Sequence, residues 1–279
     1  GTGTFFLQNV ARSWPRLLPD TRIAQLRIIQ VLIKTTPNAD SPRVGAAFAA
    51  PGKQVLGTVP VEPDGSAFFE VPARTPVMFQ ALDARGRAVQ TMRSLVYLQP
   101  GENQSCIGCH EHRMTAVVGG AAPQAIRRAP SKIRPGPDGS RPFSYPRLVQ
   151  PVLDRLCVQC HDGREPGRPV LTGEPEAPFS RSYNALVSRV SFSAWNRPEQ
   201  NFEPLTEPMR FGALGSALAK MLDGRVPRIL SSPAARAEAT AQIVAERLGD
   251  TVGFNARIYD GTPGTLLDVF NATEPTETV

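Results

Sequence analysis

Val55-Leu56-Gly57-Thr58-Val59-Pro60-Val61 and Ala67-Phe68-Phe69-Glu70-Val71 stand on either side of Glu62-Pro63-Asp64-Gly65-Ser66. Two short runs of β-branched and aromatic residues around a Pro-Asp-Gly turn read as a β-hairpin. The pattern repeats outward. Val77 to Leu82 and Ala88 to Leu98 flank Asp83-Ala84-Arg85-Gly86-Arg87, and Arg22 to Lys34 is a longer run rich in Ile, Val and Leu. Strands at this spacing predict a small antiparallel sandwich over residues 22 to 98, a scaffold with no catalytic cluster inside it. Ahead of it lies a short apolar strand, Thr4-Phe5-Phe6-Leu7-Gln8-Asn9-Val10, set apart by Pro15 and Pro19. By default it pairs within its own sheet; the other option is the edge of a neighbouring subunit.

After residue 100 the pattern changes. All four cysteines fall in two clusters, Cys106-Ile107-Gly108-Cys109-His110 and Cys157-Val158-Gln159-Cys160-His161, which also take two of the three histidines. C-x-x-C-H is the attachment signature of c-type haem. Two thiols three residues apart on a helical turn can each form a thioether to one haem, and the next residue, His, gives its imidazole to the iron. Other chemistries use paired cysteines. Two C-x-x-C knuckles can hold structural zinc, but 47 residues lie between Cys109 and Cys157, and zinc does not explain a His after each pair. A thioredoxin-like pair needs a surrounding βαβ pattern. Disulfides at this short spacing are strained. The expected cofactors are two haem c groups, covalently attached. Cys106, Cys109, His110, Cys157, Cys160 and His161 are the cofactor-binding residues, and His110 and His161 the proximal ligands.

Ligand arithmetic then constrains the chemistry. Two haems present four axial positions, and only His112 remains beyond the two motif histidines. His112, two residues after His110, cannot reach the opposite face of the same haem, so as a ligand it serves the other haem or a haem of a neighbouring chain. A surface role in the polar Glu111-His112-Arg113 loop is the alternative. Of Met78, Met92, Met114, Met209 and Met221, the first two fall in expected strands and Met221 in an apolar helix. Met209, in Glu207-Pro208-Met209-Arg210-Phe211, is the preferred distal candidate, with simple packing as its rival.

The fold expected is α+β, a small antiparallel β-sandwich followed by a loop-rich, mostly helical dihaem cytochrome c domain. Residues 1–103 hold the N-terminal strand and sandwich, and residues 104–279 the haems. Helices are expected over Pro146 to Cys160, Tyr183 to Val190, Phe211 to Leu222 and, with Ser232 as N-cap and Pro233 at N1, on to about Leu248. The Gly-, Pro- and Arg-rich residues 119–144 read as a linker wrapping a haem edge.

Composition narrows the partners. The 31 Lys and Arg exceed the 25 Asp and Glu by +6 but are scattered, which excludes a nucleic-acid footprint. No apolar run approaches the roughly 18 residues of a spanning helix, so no transmembrane segment is expected. Gly1 to Val10 lacks the pattern of a signal peptide, and the chain reads as processed or excised. Covalent haem attachment takes place outside the bacterial cytoplasm, so a periplasmic or extracellular location is expected.

Several of these stretches together resemble one family. Val55 to Pro60, Pro63 to Ala73, Phe79 to Asp83, Gln99 to Glu102, Ser105 to His110, Val149 to His161 and Phe211 to Ser216 are similar to the haem-bearing region of the hydrazine synthase alpha subunit family, over roughly residues 50–220. The resemblance implies an exported dihaem module, often attached to a β-propeller that this chain does not show. It also implies a Tyr four residues after the first motif's His, in the active haem; Met114 stands there. With one spare His, this departure argues against hydrazine chemistry. The expected function is an exported dihaem electron carrier, not an enzyme, working with a redox partner protein or as a homo-oligomer or filament. The alternative is a haem enzyme with one five-coordinate iron, of peroxidase-like or nitrogen-compound redox chemistry, with a polar pocket beside that iron.

Overall fold

The computed structural model describes residues 1–38, 41–47, 49–109, 114, 122–136, 139–190, 207–210, 215–218, 229–231 and 252–254. The chain divides into two compact units, Gly1–Met221 and Leu222–Val279.

The first unit is built on two facing sheets. Strands β1 (Thr2–Leu7), β4 (Ala67–Pro72) and β7 (Asn103–Cys106) form one, in the order β4-β1-β7. Strands β2 (Gln25–Val31), β3 (Lys53–Pro60), β5 (Val77–Leu82) and β6 (Ala88–Thr91) form the other, in the order β3-β2-β5-β6. The second sheet is antiparallel throughout, whereas β1 pairs antiparallel with β4 and parallel with β7. Alternation along β1, β4 and the first half of β2 sends one face inward: Phe5 and Leu7 of β1, Leu26 and Ile28 of β2, Phe69 and Val71 of β4 share a single core. Three rings anchor it. Phe5 lies 5.2 Å from Phe79 and 5.9 Å from Phe69, and Phe69 lies 5.6 Å from Phe79, the two contacts to Phe79 being edge-on. β1 is the centre strand, bonded on both edges, so the apolar N-terminal segment belongs to its own sheet.

The expected mostly helical second half is overturned. Within the described residues no α-helix exceeds seven residues, and strands predominate. Helices α1 (Tyr145–Leu148), α2 (Gln150–Leu156) and α3 (Arg181–Val187) appear close to where apolar periodicity was read. Elsewhere proline keeps the chain extended, and the sheet edges supply its hydrogen bonds. The stretch read as a haem-wrapping linker does this. Ser131 bridges Phe69, Arg134 bridges Thr58 and Pro142 bridges Gln54, covering the outer edges of β4 and β3. Gly57, at φ +145° beside a register shift in β2, admits this strap: a Cβ there would collide with the Arg134 carbonyl. A two-residue hairpin, β8 (Pro175–Glu176) and β9 (Phe179–Ser180), precedes α3. In the second unit β10 (Ile229–Ser231) pairs parallel with β11 (Val252–Phe254). The helix read from Ser232 to Leu248 lies outside the described residues, and of Phe211 to Leu222 only 215–218 are described. Among the described residues no helix is long and apolar enough to cross a membrane.

The turn that opened the reading also anchors the strap. Asp64 accepts from the Ser66 backbone N–H (3.0 Å), the Ser66 hydroxyl (2.6 Å) and the Gln124 N–H (2.7 Å), and Ser66 Oγ accepts from the Ala125 N–H at 3.0 Å. Burial works to raise the Asp64 pKa, but these donors outweigh it and hold the carboxyl below its ordinary value. A folded pKa below the unfolded one stabilises the fold above the unfolded pKa, and the gain is lost as pH falls through the folded value. Asp64→Asn is therefore expected to lower the melting temperature at neutral pH, with the difference from wild type narrowing once the pH falls below the ordinary aspartate value of about 3.9. A difference that stays constant as the carboxyl is protonated would contradict this account.

Candidate functional site

The two cysteine motifs sit on different supports. Cys106 ends β7, opposite Leu7, and the ladder continues through Gln8 N–H to Cys106 O (2.9 Å) and Asn9 N–H to Ile107 O (3.1 Å). The chain then bends through Ile107, Gly108 and Cys109. Gly108 is buried where a Cβ would collide with the Arg12 carbonyl, so the segment after β1 presses directly on the motif. The first motif is thus a strand end and a bend, not the helical turn expected. Parallel pairing with β1, which no local signal announces, holds Cys106 extended. Cys106 and Cys109 are half-buried against the sandwich core. His110 and His112 lie outside the described residues, and Met114 is exposed.

The second motif is a helical turn. Cys157 N–H donates to Leu153 O at 2.8 Å as α2 ends, and His161 N–H is shared between Cys157 O (3.0 Å) and Val158 O (3.1 Å). A small core of Leu153, Leu171 and Leu186, with Cys157 and Val158 against it, ties α2 to α3. Gln150 reinforces this core. Its amide donates to Asp154 (2.7 Å) and Leu171 O (3.0 Å), and its carbonyl accepts from the buried Ser182 hydroxyl at 2.6 Å. Tyr145 packs edge-on against Tyr183 at 5.0 Å, and burial pushes its phenol pKa up.

His161 Nδ1 lies 2.9 Å from Pro169 O. A carbonyl oxygen only accepts, so Nδ1 carries the proton and Nε2 the lone pair, the form of imidazole that binds a metal. Such a bond also fixes the orientation of the ring. Val152, Leu156 and Cys160, spaced four apart along α2 and its continuation, are all exposed. Two thiols on one turn, an oriented imidazole and a bare apolar strip beside the outer thiol fit a covalently tethered haem.

A cleft of about 600 Å³ opens beside this motif, lined by Asp162, Gly163, Val170, Glu176, Arg181, Asn184 and Ala185. Its charges are paired: Arg181 lies 3.2 Å from Glu174 and 3.7 Å from Glu176, Arg164 lies 3.1 Å from Asp162, and Asn184 donates to Glu176 Oε2 at 3.0 Å. No motif marks Arg181 or Asn184 in the sequence; the turn before α3 brings them there.

Met209 sits at φ +63°, a left-handed conformation that costs a side chain of this kind of order 1–3 kcal/mol. Its N–H donates to Val89 O at 2.8 Å, and it packs on the core that also carries Cys106 and Cys109. All four cysteines are described and none is in a disulfide. The two pairs pack on different cores, and among the described residues no three Cys, His, Asp or Glu converge, so a four-cysteine zinc site is not formed.

Residues 21–111 match the family model of the hydrazine synthase alpha subunit middle domain. Over these residues the chain is similar to the hydrazine synthase alpha subunit. The hydrazine synthase subunit alpha of Kuenenia stuttgartiensis is 28% identical over 203 residues, covering 53% of this chain and 25% of that protein. The solved structure of Kuenenia stuttgartiensis hydrazine synthase matches with a TM-score of 0.54 at 20% identity, over 78% of this chain and 37% of that one, a likeness of fold. The chain spans about a quarter of the length of the curated relative it matches. This relation overturns the expectation of an electron carrier that is not an enzyme, because the relative is by name a subunit of a synthase. The haem motif could not separate the two: carriers and enzymes attach haem alike, and differ in whether an iron keeps an open position.

Proposed function

We propose that this chain is the haem-bearing part of an enzyme acting by redox chemistry on a small nitrogen compound, with one of two irons five-coordinate. The second motif carries this reading: its imidazole is oriented through Pro169, and the next two residues, Asp162 and Gly163, line a cleft of about 600 Å³, within the usual size of a ligand pocket. Cys157, Cys160 and His161 would hold one haem, and Cys106, Cys109 and His110 the other. Haem supplies an iron that exchanges electrons and accepts a nitrogen lone pair. Asp162 and Glu176 offer acceptors to N–H groups, and Arg181 and Asn184 hold Glu176 in place. The similarity to a synthase subunit favours nitrogen chemistry over peroxidase chemistry. Covalent attachment places the chain outside the cytoplasm.

The test is the visible spectrum of the dithionite-reduced protein before and after carbon monoxide. Two haems per chain with about half the absorbance shifting supports one open iron. Haem bands unmoved by carbon monoxide, or a chain expressed with haem-attachment machinery that carries no haem, overturns the proposal.

A further inference from the structure

We propose that Gln150 is a positioning residue for the His161 imidazole: its amide clamps the Leu171 carbonyl, which keeps the Pro169 carbonyl against Nδ1 and so tunes the iron that His161 would carry. This rests on the haem reading above and adds which residue fixes the ring.

The loop comes first. Every residue from Gly163 to Arg168 is exposed, and Gly163 and Gly167 take the left-handed φ values +94° and +84°. The ion pairs of this segment, Arg164 with Asp162 and Arg168 with Glu165, face solvent and contribute little, and Arg168 reaches the Cys160 carbonyl only at 3.4 Å. Such a segment does not by itself hold the Pro169 carbonyl 2.9 Å from His161 Nδ1. The loop is closed at its far end instead. Leu171 N–H donates to His161 O at 2.8 Å, and Leu171 O accepts from Gln150 Nε2 at 3.0 Å in a buried bond. The peptide groups on both sides of Leu171 are thereby fixed, two residues from the oxygen that orients the ring.

The amide comes second. Gln150 opens α2 and is buried. Its nitrogen donates to the Asp154 carboxylate (2.7 Å) and to Leu171 O, and its carbonyl accepts from the Ser182 hydroxyl at 2.6 Å. Both partners of the nitrogen are acceptors only, so the amide has one orientation. Ser182 is itself buried, and its N–H donates to Thr172 O at 3.1 Å, one residue beyond the clamp. A Cβ at Gly173 would stand 3.0 Å from Gln150 Cγ, which confines the side chain from that side too. An apolar side chain would fill the core of Leu153, Leu171 and Leu186 without the cost of burying an amide; what the amide adds is a fixed place for Leu171. Val170, between Pro169 and Leu171, lines the cleft, so the clamp places part of the cleft wall as well.

Hydrogen bonding around a haem ligand is a lever on the iron's potential. Donation from Nδ1 draws electron density onto Nε2 and favours ferric iron, so a looser bond raises the potential.

Gln150→Met tests this, because Met has similar length and no amide. In the reduced holoprotein the open iron should give an iron–histidine stretch by resonance Raman spectroscopy. In Gln150→Met the stretch should move to lower frequency and one of the two haem potentials should rise while the other stays, at two haems per chain. Ser182→Ala, which only loosens the amide, should move both readouts the same way by less, and decides alone if Gln150→Met fails to fold. Leu186→Ala thins the same core without touching the clamp and should move neither. Stretch and potentials unchanged in Gln150→Met and Ser182→Ala, or moved as far by Leu186→Ala, overturn the inference and leave the enzyme reading standing. Wild type binding carbon monoxide at neither haem overturns the enzyme reading, and a single raised potential in Gln150→Met then still supports this inference. Wild type without haem overturns both.

Discussion

Phe69→Ala is expected to destabilise the first unit by about 3–5 kcal/mol, a large share of the roughly 5–15 kcal/mol that holds a domain folded. Phe69 is 1% exposed and touches both Phe5 and Phe79, so truncation opens a cavity between the two sheets. The lost contacts cannot be regained by collapse, because β1 and β4 are held at fixed spacing by their ladder. Phe68→Ala is the control. It removes the same side chain from the other face of β4, where Phe68 meets Phe6 at 6.4 Å and is only half-buried, and should cost less than half as much. Urea midpoints of the two variants check this. Equal shifts would mean that the three-ring core is not where the stability lies.

The double change Cys157→Ser and Cys160→Ser is expected to remove one haem of two, leaving one per chain. A serine hydroxyl makes no thioether, and neither cysteine is fully buried, so the fold is expected to lose no more than about 1 kcal/mol. The core of Leu153, Leu171 and Leu186 and the Gln150 hydrogen bonds stay in place. Alkaline pyridine haemochrome content per chain and the intact mass measure the result. Two haems retained by the double variant would exclude attachment at this motif.

Much of the sandwich could be read from local pattern. The apolar run Val77 to Leu82 and the Pro-Asp-Gly turn at 63–65 are short-range signals, and strands and turn stand where they were read. Other features depend on partners distant in sequence. Ala88 to Leu98 reads as one strand, yet only Ala88–Thr91 is strand, and Val96 turns back to bridge Val77. Residues 131–142 look like a free linker because nothing local shows that two sheet edges await them. The expectation of a helical second half failed among the described residues for the same reason: Pro and Gly interrupt helices there, but where an extended chain finds its hydrogen bonds is a tertiary matter.

The sequence alone determined the chemistry available: four thiols in two C-x-x-C-H motifs and one further histidine, His112. Those follow from residue identity and spacing, which the fold cannot alter. Tertiary structure decided where that chemistry sits and what surrounds it. Pairing with β1 made the first motif a strand end, and the Pro169 carbonyl fixed the His161 tautomer. The α3 turn set Arg181 and Asn184 around a cleft, and Val89 of β6 holds Met209 against the sandwich core. Each of these depends on a contact between residues far apart in the chain, and such contacts leave no periodic trace in it.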